Sequence, residues 1–161
     1  MDASFEGSDQ QVTAMLRRKG PEAIKAMVFG VNTQAAKLQS HIVLDKLSGQ
    51  VLNIRSGKLA GSIRIDPPAT VTAESIFADV VGGGGPAWYG KIHEYGGVKS
   101  YIIEASHKKA LMFRVGSKVI FAKRVNHPPL PMRSFMRSAL DDLRENIANW
   151  FRITLARVFA K

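Results

Sequence analysis

From Ile24 onward the apolar residues Ile24, Val28, Val31, Ala35, Leu38 and Ile42 recur at alternating spacings of 4 and 3, which sets all six on one stripe of a helix. Pro21 suits the first turn of that helix, where its missing N–H has no partner to lose. Gly30 costs about 1 kcal/mol against alanine without breaking the pattern. Gly49, after Leu47 and Ser48, is a C-terminal stop. The predicted helix has about 28 residues and a length of about 40 Å at ~1.5 Å per residue. Ahead of it, Gln10 to Lys19 is predicted as a short helix ended by Gly20, and residues 1–9, small and polar, are expected to be mobile. A second long stripe closes the chain through Met136, Leu140, Leu143, Ile147, Trp150, Thr154 and Arg157 or Val158. Phe151, Leu155 and Phe159 broaden it, and Arg152 and Arg157 complement the helix dipole at its end.

Between the helices the pattern turns to β. Ser62 to Ile65 is a short strand ended by Pro67-Pro68, and Val71 to Val81 is rich in β-branched residues, with Ile76, Ala78 and Val80 on one face. Gly82 to Gly85 and Pro86 leave room only for a loop. Ala87 to Tyr95 is predicted as a short helix closed by Gly96-Gly97. Ala110 to Val115 and Lys118 to Lys123 flank Gly116-Ser117, two β-prone runs joined by a glycine-led two-residue turn, which is a hairpin signal. His127-Pro128-Pro129-Leu130-Pro131 is extended. The expected fold class is α+β: a long N-terminal helix, an antiparallel sheet of about four strands and a long C-terminal helix. Residues 1–19 form a flexible leading segment and 20–161 a single domain. Two helices cover one face of such a sheet, and its uncovered edges invite pairing between subunits.

Length and composition change this picture little. The chain has 161 residues, 45% hydrophobic and 22% charged, enough for one core and not disordered. Cysteine is absent, which removes disulfides, thiolate zinc sites and a cysteine nucleophile. No apolar run approaches the ~18 residues that span a bilayer, and the N-terminus lacks a signal-peptide core, so no membrane partner is expected.

Charge changes it more. Lys and Arg number 23 against 13 Asp and Glu, a net +10. Eight of these basic residues (Lys108, Lys109, Arg114, Lys118, Lys123, Arg124, Arg133 and Arg137) fall in 105–140, which holds no acid. A hairpin bearing Arg114, Lys118, Lys123 and Arg124, with Lys108 and Lys109 beside it, is the candidate surface for a DNA channel or a partner, each phosphate neutralised adding a salt-dependent term. Phe113 and Phe121 read as core-facing. No nucleic-acid recognition module is present, so nonspecific contact, an acidic protein partner or a plain solvated face remain the readings.

Catalytic patterns fail one by one. His93-Glu94 opens like a zinc-protease helix, but Gly97 stands where the second histidine belongs. His41, His93, His107 and His127 share no ligand spacing and read as surface or helix-end hydrogen bonders. Gly82 to Gly85 lacks the lysine and hydroxyl residue of a phosphate loop. Gly57 to Ser62 is no nucleophile elbow. Glu74, Asp79, Glu94 and Glu104 stand singly among apolar residues. No catalytic residue, cofactor or metal is assigned.

Three segments carry a resemblance. Arg55-Ser56-Gly57-Lys58-Leu59-Ala60-Gly61-Ser62-Ile63 follows the long helix. Trp88-Tyr89-Gly90-Lys91-Ile92-His93-Glu94-Tyr95-Gly96 follows the glycine run. His127-Pro128-Pro129 and Pro131-Met132-Arg133-Ser134-Phe135 lead into the closing helix. In order and spacing, over about residues 20–160, these resemble the motifs of the neck, head–tail joining and tail-completion proteins of tailed siphophages. Departures are Ser56 for threonine, Gly90 for alanine, Pro129 for glycine, and the spacing from Pro131 to Phe135. The resemblance implies a non-enzymatic virion protein at the head–tail junction, assembled in the bacterial cytoplasm. It implies a homo-oligomeric ring, a hexamer, between connector or stopper and tail-tube or terminator proteins, through which genomic DNA passes without specific contact. Gly57, Leu59, Ser62, Ile63, Tyr89, Glu94, Tyr95, Gly96, His127, Pro128, Pro131 and Phe135 are then structural: Gly57 permits the turn, Leu59 and Ile63 enter the core, Tyr89 and Tyr95 sit in a half-buried seam, and Phe135 anchors the closing helix.

Overall fold

A computed structural model describes residues 6–72, 75–97, 99–106 and 108–160, with residues 6–17 described by their backbone alone. The readings of residues 1–5, Glu74 and His107 lie outside the described residues. Helix α1 runs from Glu6 to His41 without the break expected at Gly20, and Pro21 lies inside it. An interior proline costs about 3 kcal/mol. Here the residues before it (Gln10, Gln11, Ala14, Met15, Leu16, Arg17, Arg18 and Lys19) are strong helix formers, so the helix continues on both sides. Beyond His41 it widens into a π-helical segment, Ile42–Gln50. The chain leaves the helix at Ser48 and Gly49, the latter at φ +129°. There the Lys46 carbonyl accepts from the N–H groups of Val51 and Leu52, each at 3.0 Å.

The class is α+β, with helix α4 (Met136–Ala160) closing the chain as the period predicts. The strands are arranged differently from the expected single sheet. All pairing is antiparallel and falls into four two-stranded ladders that make two long hairpins. In the first, β1 (Arg64–Ile65) pairs with β4 (Val80–Val81), and β2 (Thr70–Val71) pairs with β3 (Ile76–Phe77). In the second, β5 (Tyr101–Glu104) pairs with β8 (Arg124–His127), and β6 (Leu111–Val115) pairs with β7 (Lys118–Ala122). Pro67-Pro68 interrupts the first ladder because proline has no N–H to donate. The segment between the hairpins, which a wider sheet would need as a strand, instead turns back onto the helices. It carries a 3₁₀ turn (Gly85–Ala87) and a short helix, α3 (Gly90–Tyr95). Helices α1 and α4 pack chiefly on each other, with the first hairpin against α1.

The core is small and lies at one end of the helix pair. Ile42, Leu47, Leu59, Ile63, Ala87, Phe135 and Ala139 form it, drawn from the end of α1, a one-turn helix α2 (Lys58–Ser62), the 3₁₀ turn and the start of α4. Elsewhere large apolar side chains remain exposed, among them Phe29, Leu44, Trp88, Met112 and Phe121. None of the described helices is long and apolar enough to cross a membrane.

Candidate functional site

The second and third motifs meet at one carboxylate. Helix α3 presents Glu94, which is only 4% exposed, to the first turn of α4. Its Oε2 accepts from the N–H groups of Phe135 and Met136 at 2.8 and 2.9 Å. Its Oε1 accepts from Ser134 Oγ at 2.8 Å, Arg137 N–H at 3.1 Å and Arg137 Nε at 3.2 Å. An α-helix begins with N–H groups that have no partner in the helix and with a positive dipole end. Glu94 satisfies both from a segment 40 residues away. Burial alone would raise its pKa, but the N–H donors of Met136 and Arg137 and the Ser134 hydroxyl outweigh it and hold the carboxyl below its ordinary value. A buried acid with every oxygen occupied and ionised is a structural lock. It has neither the free lone pair nor the raised pKa of a general acid.

The other motif residues brace this lock. Gly57 takes φ +70° ahead of α2, and Leu59 and Ile63 then enter the core. Ser62 Oγ donates to the Leu59 carbonyl at 2.7 Å and accepts from Gly83 N–H at 3.0 Å, fastening α2 to the glycine loop. Gly96 closes α3 at φ +63°. A Cβ there would stand 2.7 Å from the Met132 nitrogen, so only glycine lets the Pro131–Arg133 backbone pass. Arg133 N–H donates to the His93 carbonyl at 2.7 Å on the same crossing. Phe135 is 1% exposed and forms the centre of the core. Tyr89 is half-buried, its ring edge-on to His93 at 6.1 Å. His127 stacks on Tyr101 at 4.9 Å, and Pro128 and Pro131 lie on the surface.

Several expected placements change. Tyr95 lies on the surface, not in a seam, with the Arg137 guanidinium 5.3 Å above its ring. Phe121 is 67% exposed, not in the core, because no described element packs over that face of the β6–β7 ribbon. Arg124 is ion-paired with Glu104 at 2.7 Å, and Arg137 is committed to Glu94, so neither is a spare cation. Lys108, Lys109, Arg114, Lys118 and Lys123 are exposed and have no carboxylate partner among the described residues.

Three further features come from the packing of separate segments. His41 bridges two acids, Nδ1 to Asp45 at 2.6 Å and Nε2 to Asp142 at 2.9 Å, and Lys46 Nζ reaches the same Asp142 oxygen at 2.6 Å. The hydrogen bond to Asp142, opposed by burial and helped by Asp45, raises the His41 pKa. Lys46 and then His41 lower that of Asp142. The cluster ties the end of α1 to α4. The His41–Asp45 spacing is a helical i,i+4 signal, but nothing in the sequence pairs either with position 142. The second feature is a cavity of about 570 Å³ lined in part by Arg55, Lys58, Arg133, Tyr89 and His93. It has the sign of charge to hold an anion. Burial and then the Arg133 charge lower the His93 pKa.

The third is an apolar groove of about 390 Å³ between α1, α4 and the first hairpin. Val31, Ala35, Leu38, Leu140, Ile147 and Phe151 are in its lining, and Asp79 stands among them. Facing outward elsewhere, the β6–β7 hairpin pairs Met112 with Phe121 and Arg114 with Val119. Opposed residues share a face of an antiparallel ribbon, so these four form one apolar, basic face. The metal-ligating residues among those described form no cluster of three. No family model, curated protein or solved structure matches this chain.

Proposed function

We propose that this chain is a non-enzymatic structural subunit that completes its core by joining copies of itself in a ring, in the manner of a phage neck or tail-completion protein. The observation that carries the reading is the surface of the described residues, on which Phe29, Leu44, Met112 and Phe121 all stand exposed. A long helix pair, a core confined to one end and a projecting hairpin all lack a covering layer that neighbouring subunits would supply. The motif residues support the same reading, since Glu94, Ser62, Gly96 and Phe135 are occupied in holding the scaffold and none is poised for chemistry. The place in the virion, at the junction between head connector and tail with DNA passing through, rests on the motif resemblance. So does a subunit number of six. Light scattering and negative-stain microscopy test it. A closed ring that also incorporates into particles is expected, and a protein monomeric at all concentrations and absent from particles overturns it.

The five cations of the 108–123 stretch that have no carboxylate partner among the described residues favour a second reading, nonspecific binding of duplex DNA. Titration at two salt concentrations tests it. Binding with a steep salt slope, weakened when Lys118 and Lys123 are neutralised, supports it. No binding at low salt assigns these cations to protein contacts.

A further inference from the structure

We propose that the β6–β7 hairpin of one subunit lies in the α1–α4 groove of the next, which makes the ring interface head-to-tail. The inference rests on the self-assembly reading above and names its contact. Four observations join the two surfaces. The hairpin packs on no other element to an extent comparable with its own strand pairing, and Met112 and Phe121, opposite each other, are each 67% exposed. The groove is lined mostly by apolar side chains, with Gln34, Asp79 and Arg137 among them, and stands open, with Leu140 42% exposed. Their lengths agree: strands of 5 residues extend about 17 Å at ~3.4 Å per residue. From Val31 to Ile42 the groove follows α1 for about 17 Å at ~1.5 Å per residue. Their charges agree as well. Arg114 lies on the Met112–Phe121 face, Asp79 stands in the groove with no ion-pair partner among the described residues, and the groove's lining cation, Arg137, is already paired with Glu94.

A contact between two different patches of one chain is heterologous. It leaves a free hairpin at one end of every open oligomer and a free groove at the other, and it ends only when the rotation closes. Hairpin face and groove are thereby both covered in every subunit of a closed ring.

The absence of cysteine makes the contact directly testable. Phe121→Cys and Leu140→Cys in one chain are expected to form intersubunit disulfides under mild oxidation, giving a ladder of covalent oligomers, whereas either alone gives none. Two further variants disable one patch each: M112D/F121D the hairpin, L140D the groove. Each alone is expected to lose the assembled species while circular dichroism stays native, since the altered side chains are exposed. Mixed together, they are expected to form dimers only, through the one intact hairpin and the one intact groove. A ring of unchanged size from M112D/F121D, or no crosslink from the cysteine pair, overturns the hairpin contact and leaves the ring reading standing. A wild-type protein that is monomeric throughout overturns both.

Discussion

Glu94 shows how much one side chain can organise. Five hydrogen bonds converge on its carboxylate, and three of them come from backbone N–H groups that the start of α4 would otherwise leave bare. Glu94→Ala is expected to cost about 3 kcal/mol or more, because it strands those donors and the Arg137 charge together. Glu94→Gln keeps one acceptor but turns an amide N–H₂ toward donors, and about 1–2 kcal/mol is expected. Urea denaturation midpoints measure both, and an unchanged midpoint for E94A would refute the lock. The pH dependence follows from the sign of the shift. The folded carboxyl titrates below its ordinary 4.5, so its contribution is complete above that value and is lost as pH falls through the lower, folded one. The acid limb of stability is therefore expected to be shallower in E94Q than in the wild type. The sequence marks Glu94 and Phe135 as members of two motifs. It does not show that they touch, because a bond across 41 residues leaves no periodicity to read.

At the scale of elements, the legible parts are those with a strong local period. The stop at Gly49, the stripe of α4 and the two-residue turn at Gly116-Ser117 follow from spacing and turn chemistry alone. What spacing cannot supply is the packing partner of each face. The strand pattern of β6 and β7 is the same whether a helix covers it or nothing does, so Phe121 reads as core and lies in the open. Gly30 is the converse. Its sequence cost in a helix has a packing reason, since a Cβ there would collide with the Trp150 ring, where α4 crosses α1. Gly30→Ala is expected to destabilise by about 1–3 kcal/mol through overpacking, although alanine is the better helix former by about 1 kcal/mol. A thermal melt that rises instead would show that the crossing is loose. The same helix pair carries a pH-sensitive tie. His41 is raised above 6.5 by Asp142 and Asp45, so its contribution is fully present below that value and is lost as pH rises through the folded one. Comparing wild type with His41→Gln at pH 6 and pH 9 isolates it. The wild type is expected to hold an advantage at the lower pH that vanishes at the higher, and an advantage equal at both would remove the ion pairs as its source.

For the whole molecule, burial decides. In the proposed ring, the exposed apolar side chains of the hairpin and the groove place part of the stabilising burial in contacts between copies. Assembly then becomes part of stability, because neighbours bind the folded subunit and not the unfolded one. Raising the protein concentration roughly a hundredfold adds about 2.7 kcal/mol by mass action. At ~2–4 °C per kcal/mol for a chain of this size, Tm is expected to climb by roughly 5–10 °C. Differential scanning calorimetry over that range measures it, with M112D/F121D as the control expected to show a flat Tm. A Tm independent of concentration in both proteins would mean that the small core at the end of the helix pair holds the fold by itself, and that the exposed apolar surface is not what stabilises it.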